Sequence, residues 1–125
     1  MASFIFKSLR IKTELTASVS LQDIDTGEIL PGSSTGTVVD FSKGGMCIIL
    51  TRIMLNDKHL FFSTLDSDRH NLHICLETQD NLQDKHEITA RSIWMNSGEY
   101  KGNHVFRIGA KFLQTQQNLL TLLRK

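Results

Sequence analysis

The stretch Asp40-Phe41-Ser42-Lys43-Gly44-Gly45 lies between two apolar runs, Val38-Val39 and Met46-Cys47-Ile48-Ile49-Leu50. Aspartate and serine side chains can fold back onto nearby backbone amides, and paired glycines can adopt the positive φ that a side chain would penalise. The stretch therefore predicts a β-hairpin whose turn presents oxygen atoms and bare amides outward. The same residue types are also common turn formers, so a turn without any ligand is the alternative interpretation.

Composition indicates one small domain. The chain has 125 residues, of which 40% are hydrophobic, and this fits a single core with little room for a second. We therefore predict one domain over residues 1–125. Fourteen basic and thirteen acidic residues give a formal net charge of +1, so we expect no binding to duplex nucleic acid or to an anionic membrane surface. Any anionic ligand must be held by local groups.

The sequence shows no membrane span and no secretion signal. The apolar run at residues 46–50 is too short to cross a bilayer, and residues 1–6 lack a charged start and an extended apolar core. We therefore expect a cytoplasmic protein without membrane insertion. Cys47 and Cys75 are then predicted to be reduced thiols, and their wide separation in the sequence argues against a zinc site.

Alternation of apolar and polar residues predicts several β-strands. Between residues 11 and 22 the odd positions are mostly apolar and the even positions are polar, which is typical of a strand with one buried face. Residues 28–30 are expected to return as a short strand, and residues 31–36 form a loop by composition. Residues 72–77 alternate like the first strand and predict another half-buried one.

The second half of the chain adds two strands and a helix. The alternation that begins at Ile88 shifts phase near Ser92, as a β-bulge or a twisted strand would cause. Residues 98–103 predict a hairpin loop, and residues 105–112 predict a late strand with one face inward. Residues 114–125 carry leucines at helical spacing and predict a C-terminal helix.

These elements together predict the fold class. Several short strands separated by turns, with one terminal helix, indicate an all-β, mainly antiparallel fold, a barrel of six to seven strands with a C-terminal α-helix. Residues 78–85 are polar and are predicted to be a connection. Residues 52–65 carry apolar residues at both helical and strand spacings, so their conformation stays open.

No motif in the sequence indicates catalysis or metal binding. A Gly-x-Ser-x-Gly elbow and a nucleotide-phosphate loop are both missing. His70 and His73 stand three residues apart, and on a strand they would point to opposite faces and could not easily share an ion. We therefore expect a protein that is not an enzyme and has no catalytic residue, cofactor or metal.

Two segments resemble the PilZ domain, a small β-barrel family that senses cyclic diguanylate (cyclic di-GMP). Asp40, Ser42 and Gly45 match the family motif Asp/Asn-x-Ser-x-x-Gly. Residues 105–112 are similar to the last barrel strand of the family, in which a glycine and then a phenylalanine precede a leucine-rich helix. The likeness extends over almost the whole chain and implies a PilZ-like barrel.

The resemblance also implies a binding site for cyclic di-GMP. The other motif of the family, Arg-x-x-x-Arg, lies just ahead of the first strand. Arg10 matches its second arginine, whereas Phe6 stands at the position of the first, and Lys7 is one position out of register. The implied ligand-binding residues are Arg10, Asp40, Ser42 and Gly45, with Lys7 and Lys43 as further cations.

The expected function is a stand-alone signalling module that binds cyclic di-GMP and relays the signal to an unidentified partner protein. A guanidinium such as that of Arg10 can pair in bidentate fashion with a phosphate or with the O6 and N7 edge of guanine. Residues 1–10 are expected to be a flexible segment that becomes ordered over the barrel.

Two other functions stay open. A ligand-free adaptor that acts through protein contacts is the main alternative, because Phe6 replaces an arginine. A barrel that binds single-stranded RNA is a third hypothesis, although basic and aromatic residues are clustered only sparsely. The protein could be a monomer or a homodimer under any of these hypotheses.

Overall fold

The computed structural model describes residues 10–77 and 85–123. The six long strands are β1 Arg10–Asp23, β2 Ser34–Ser42, β3 Gly45–Leu50, β6 His70–Glu77, β7 Lys85–Tyr100 and β8 Asn103–Phe112. They pair antiparallel and form a closed barrel in the order β1-β2-β3-β8-β7-β6. Strands β4 Met54–Leu55 and β5 Lys58–His59 form a separate small sheet, and helix α1 spans Gln117–Leu123. The predicted all-β barrel with a C-terminal helix is confirmed.

Alternate side chains along each strand point into the barrel and form its core. Fully burying one aliphatic side chain of this kind contributes about 1.5–3 kcal/mol relative to leaving it exposed. The strands β1 and β6, which are neighbours, bury the apolar set that their alternation predicts: Ala17, Val19, Leu21, Leu72, Ile74 and Leu76. Because β1 and β6 come from distant parts of the chain, this shared core joins the two edges of the sheet into a barrel.

Three β-bulges change which residues face outward. The register shifts between Lys12 and Leu15 in β1, between Val38 and Asp40 in β2, and between Ser92 and Trp94 in β7. The phase shift expected near Ser92 is therefore confirmed. In β2, Val38 and Phe41 are both completely buried, whereas Asp40 between them is only partly buried. The bulge thus places a carboxylate on the outside of an otherwise buried strand.

The C-terminal helix closes one end of the barrel. Leu119 and Leu120 are buried in the common core, as are Phe41 of β2 and Phe112 of β8. The rings of these two phenylalanines lie 5.2 Å apart, a distance typical of favourable aromatic pairs. Among the described residues, no helix is long and apolar enough to cross a membrane.

Residues 51–69, which include the part left open by the sequence, form turns and the small β4–β5 sheet, and they pack on the barrel. Leu60 and Phe61 are buried in the core. The Thr64 and Ser92 hydroxyls form a buried hydrogen bond of 2.6 Å, and Leu65 makes a parallel bridge to Ser92. The segment is therefore anchored at the bulge of β7. Its mixed apolar spacing is explained by turns rather than by one regular element.

Several predicted boundaries are wrong. Residues 28–30 form only an isolated bridge between Gln22 and Ile29, because no neighbouring strand continues the pairing. Strand β2 already begins at Ser34, inside the stretch predicted as a loop. Hairpin pairing reaches Tyr100 and Asn103, so the turn predicted over residues 98–103 contains only two residues.

The predicted bounds at the two ends of the chain also need correction. The helix begins at Gln117 instead of residue 114, because the backbone after β8 first bonds back to the β2–β3 turn. Arg10 lies within β1 and so does not belong to a separate N-terminal segment. The rest of that segment, including Lys7, lies outside the described residues, as does most of the predicted connection over residues 78–85.

Candidate functional site

The turn between β2 and β3 is organised by the side chain of Ser42. Its Oγ lies 3.2 Å from the Gly45 amide and 3.4 Å from the Gly44 amide, both of which donate to it. The same hydroxyl donates to the Gly45 carbonyl at 3.3 Å. Ser42 is only 6% exposed. Its side chain therefore shapes the turn from within.

The two glycines of this turn do not use the positive φ that the sequence suggested. Neither Gly44 nor Gly45 is among the described residues that have a positive φ. Gly45 is instead required by close packing, because a Cβ atom there would lie 2.5 Å from the carbonyl oxygen of Ala110 on β8. The positive φ expected for the paired glycines is therefore wrong. The actual role of Gly45 is to allow β8 to approach.

Arg10 and Asp40 meet on the outer face beside this turn. Cross-strand register pairs Arg10 with Ser42 and Lys12 with Asp40. The Arg10 Nε donates to both Asp40 carboxylate oxygens, at 3.1 and 3.3 Å. The two side chains are 44% and 19% exposed. The structure therefore brings the Arg10 guanidinium to the carboxylate of Asp40, thirty residues later in the sequence, and to the serine turn that follows it.

A row of five residues crosses the outer face from this pair. The register pairs Lys12 with Asp40, Asp40 with Cys47, Cys47 with Gly109, and Gly109 with Trp94. The Trp94 indole lies directly over Gly109, where a Cβ atom would collide with it. The outer row therefore begins at a cation and a carboxylate and ends at an aromatic ring.

The pKa of Cys47, in the middle of the outer row, depends on the charges around it. Burial raises the pKa of its thiol, and the nearby Asp40 carboxylate raises it further. Arg107, Arg10 and Lys12 act in the opposite direction. Three cations therefore lie within electrostatic reach of this thiol, which remains protonated at neutral pH.

Strand β8 adds two cations to the same face. Arg107 is fixed against the β7–β8 hairpin, because its Nη2 donates to the Glu99 carbonyl at 3.0 Å and its guanidinium covers Gly98. Lys111 is exposed and pairs across strands with Gly45, so it lies beside the β2–β3 turn. Sequence reasoning did not select either residue as a site residue. The sequence shows that each of them stands two residues from Gly109, but it does not show which strands lie beside them in the barrel.

The tip of the β7–β8 hairpin reaches back to β1. The Tyr100 hydroxyl donates to a Glu14 carboxylate oxygen at 2.8 Å, and the Lys101 ammonium forms an ion pair with the same oxygen. The hydrogen bond from Lys101 lowers the pKa of Glu14, and the bond to Glu14 raises the pKa of Lys101. Glu14 lies in the β1 bulge, two residues after Lys12. The hairpin tip therefore forms a rim of the charged face.

The predicted site residues are thus partly assembled. Arg10, Asp40, Ser42 and Gly45 lie at adjoining positions of β1, β2 and β3, and Lys43 is exposed in the turn between the last two. Lys7 lies outside the described residues. Within residues 10–77 and 85–123, no group of three histidine, cysteine, aspartate or glutamate side chains could hold a metal ion.

Comparison with solved structures identifies the fold. The chain is similar to the PilZ domain with c-di-GMP of YcgR from Escherichia coli, with a TM-score of 0.53 and 14% sequence identity. The similarity covers 86% of this chain and 76% of that one. No family model matches the sequence, and no curated protein matches it significantly. The chain therefore has a PilZ-like fold, as its motifs predicted.

Proposed function

We propose that this chain is a PilZ-like signalling module that binds cyclic di-GMP on the outer face described above. The observation that carries the proposal is the meeting of Arg10 and Asp40 beside the turn that Ser42 organises. The ligand has two phosphates and two guanine bases, so a site for it needs cations, a carboxylate and an aromatic ring on which a base can stack. The outer face combines all three.

The Arg10 guanidinium has unused hydrogen-bonding capacity. A guanidinium has five N–H donors, and in the described residues only the Nε of Arg10 donates a hydrogen bond. Its two terminal nitrogens can therefore engage a phosphate, or the O6 and N7 atoms of guanine, in bidentate fashion. The pair with Asp40 is partly exposed, so little free energy opposes its rearrangement.

The neighbouring residues supply the remaining contacts. Asp40 can accept hydrogen bonds from the guanine ring N–H and amino groups, while Lys43 supplies positive charge near the phosphates. Ser42 and Gly45 would hold the turn in shape, which fixes where the Lys43 side chain begins. Trp94 offers a ring on which a base can stack at the other end of the row. Lys7 is proposed as an additional cation, consistent with its position ahead of β1.

Relay to a partner completes the proposed function. We infer that residues 1–125 form one PilZ-like domain that acts in the cytoplasm without a catalytic step, and that a bound nucleotide changes which protein this domain contacts. The ligand-free adaptor is the competing proposal. It is favoured by Phe6 at the position of the first arginine of the family motif and by the existing Arg10–Asp40 pair.

Nucleotide titration separates the two proposals. Trp94 is the single tryptophan of the chain, so its fluorescence reports events on the proposed binding face, and calorimetry provides an independent affinity. Wild-type protein is expected to show saturable binding of cyclic di-GMP. Arg10→Ala should weaken it by about 2–5 kcal/mol, or roughly thirty-fold and upward, because a charged hydrogen-bonding group is lost. Arg10→Lys should not restore the affinity, because an ammonium lacks the bidentate fork.

Two controls make the outcome decisive. Asp40→Ala should also weaken binding, whereas Lys58→Ala, which removes a cation of the β4–β5 hairpin, should not. The absence of saturable binding by the wild type at high nucleotide concentration would reject the sensor and leave the adaptor. Equal affinity in wild type and Arg10→Ala would place the ligand elsewhere.

A further inference from the structure

A second feature of the barrel is a cleft of about 420 Å³ between the bulge of β7 and the end of β8. Its charged lining consists of Arg91, Lys111 and Asp66, and its exposed apolar lining includes Ile93 and Leu113. We call it the bulge cleft. Lys111 connects it to the β2–β3 turn, since this lysine pairs across strands with Gly45.

The bulge cleft holds two cations without a partner in the described parts of the chain. Arg91 and Lys111 are directly opposite each other on β7 and β8, an arrangement that is destabilising for like charges. Within residues 10–77 and 85–123 neither forms an ion pair, and Asp66 lies beyond ion-pair distance of both. A ligand with carboxylates would relieve this repulsion.

Two aliphatic side chains are exposed beside these cations. Ile93 is 54% exposed and Leu113 is 47% exposed. Ile93 is the extra residue of the β7 bulge, so it cannot turn inward while its neighbour Ser92 is held by the buried hydrogen bond to Thr64. The bulge therefore presents an aliphatic group outward in a fixed position, next to positive charge. Exposed apolar groups clustered in this way are typical of interaction surfaces.

We propose that the bulge cleft docks a segment of a partner protein in which acidic residues flank aliphatic ones. The cations would pair with its carboxylates, and Ile93 and Leu113 would contact its aliphatic side chains. A protein segment is favoured over an anionic lipid surface because the apolar groups line a concave cleft, whereas a flat membrane contacts groups that protrude. This proposal deepens the proposed function by giving the chemistry of the partner.

Backbone hydrogen bonds connect the bulge cleft to the nucleotide face. The amide of Phe112, which also lines the cleft, donates to the Gly44 carbonyl at 2.9 Å. The Gln116 amide donates to the Lys43 carbonyl at 2.7 Å. A ligand that shifts this turn would therefore shift one wall of the cleft. This coupling rests on the proposed function, but docking by itself does not.

Fluorescence anisotropy tests the docking with a fluorescein-labelled peptide in which glutamates flank two leucines. Comparison peptides carry lysines in place of the glutamates, or serines in place of the leucines. We expect the wild type to bind the first peptide best. Arg91→Glu should weaken this binding at least about tenfold, whereas Lys58→Glu, the same charge change in the β4–β5 hairpin, should leave it unchanged.

A second pair of variants tests the apolar contacts with the peptide. Ile93→Ser should weaken binding several-fold, whereas Met54→Ser, which alters an exposed methionine of the β4–β5 hairpin, should not. Circular dichroism melting curves verify that all four variants fold. Vesicles of phosphatidylserine and phosphatidylcholine form the lipid arm. Failure of the wild type to bind the acidic peptide, equal losses in Arg91→Glu and Lys58→Glu, or binding to vesicles alone would each overturn the proposal.

Measurements with cyclic di-GMP distinguish failure of the docking proposal from failure of the proposed nucleotide sensor. Without nucleotide, Arg10→Ala should bind the peptide as the wild type does, because Arg10 is outside the bulge cleft. If the peptide binds while cyclic di-GMP does not, the sensor fails and the docking surface stands. If both bind but the nucleotide leaves peptide affinity unchanged, the coupling through the turn is overturned.

Discussion

The two tight hairpin turns of the barrel, at residues 43–44 and 101–102, are held in different ways. The first turn has Ser42 Oγ inside it, the Gly44 carbonyl accepts a hydrogen bond from Phe112 at the end of β8, and the Lys43 carbonyl accepts one from Gln116 after β8. The second turn is held to the rest of the barrel by the contacts of Tyr100 and Lys101 with Glu14. These three side chains are at the surface.

Because the two turns are held by different contacts, they are expected to differ in how easily they move. Partly buried hydrogen bonds in close packing contribute to stability and limit motion. An exposed ion pair contributes little and weakens further in salt. The β2–β3 turn is therefore a preorganised platform for a ligand, whereas the β7–β8 tip is a rim that can detach at low cost. Predictions for the two turns differ accordingly.

Gly45→Ala should have the largest effect on stability. The added Cβ would lie 2.5 Å from the Ala110 carbonyl oxygen, so one strand must move away from the other. We expect the free energy of unfolding to fall by about 2 kcal/mol, as for other overpacked sites. Urea denaturation measures this loss. Gly44→Ala is the matched control, because no atom lies within 4 Å of the added Cβ; equal losses in the two variants would contradict close packing as the reason for Gly45.

Ser42→Ala should have an intermediate effect. It removes the acceptor of the Gly44 and Gly45 amides in a part-buried turn, so we expect a loss of about 1 kcal/mol. Hydrogen exchange should also show faster exchange at these two amides. Ser97→Ala serves as the control, since Ser97 is exposed on β7. Unchanged exchange in Ser42→Ala would mean that the turn is fixed by the β8 backbone alone.

Glu14→Gln should have the smallest effect on stability and be visible mainly in its pH dependence. The pKa of Glu14 is lowered in the folded protein, chiefly by the hydrogen bond from Lys101. A lowered carboxylate pKa contributes stability above the usual value of 4.5 and loses it as the pH falls through the folded pKa. In the wild type, the hairpin tip should therefore loosen at acid pH, as followed by NMR signals of Tyr100.

The Glu14→Gln variant should lack this acid transition at the tip. A second transition is expected in the wild type at alkaline pH, because the raised pKa of Lys101 contributes stability that is lost as the pH rises through it. Signals from the β2–β3 turn should not follow either transition. An acid transition of equal size at both turns would remove the distinction between platform and rim.

Much of the fold could be predicted because its signals are local. Period-two alternation in β1 and β6, the phase shift near Ser92, the hairpin at residues 40–45 and the leucines of the C-terminal helix each depend on near neighbours in the chain. The same holds for the types of residue in the candidate site. The Ser42 hydroxyl bonds to a backbone amide three residues away, and Asp40 belongs to a short motif that can be recognised in the sequence itself.

Which residues share a surface was decided by tertiary structure. The outer row from Lys12 to Trp94 depends on the register of four strand pairs and on three bulges, and a shift of one residue would turn each of its side chains inward. The packing of residues 51–69, the reach of Tyr100 to Glu14 and the opposed charges of Arg91 and Lys111 likewise arise from contacts between distant segments. Sequence alone determined the strands and the chemical groups that they carry, because these follow from local periodicity. The closed barrel decided which groups meet, because register is set by packing over the whole sheet.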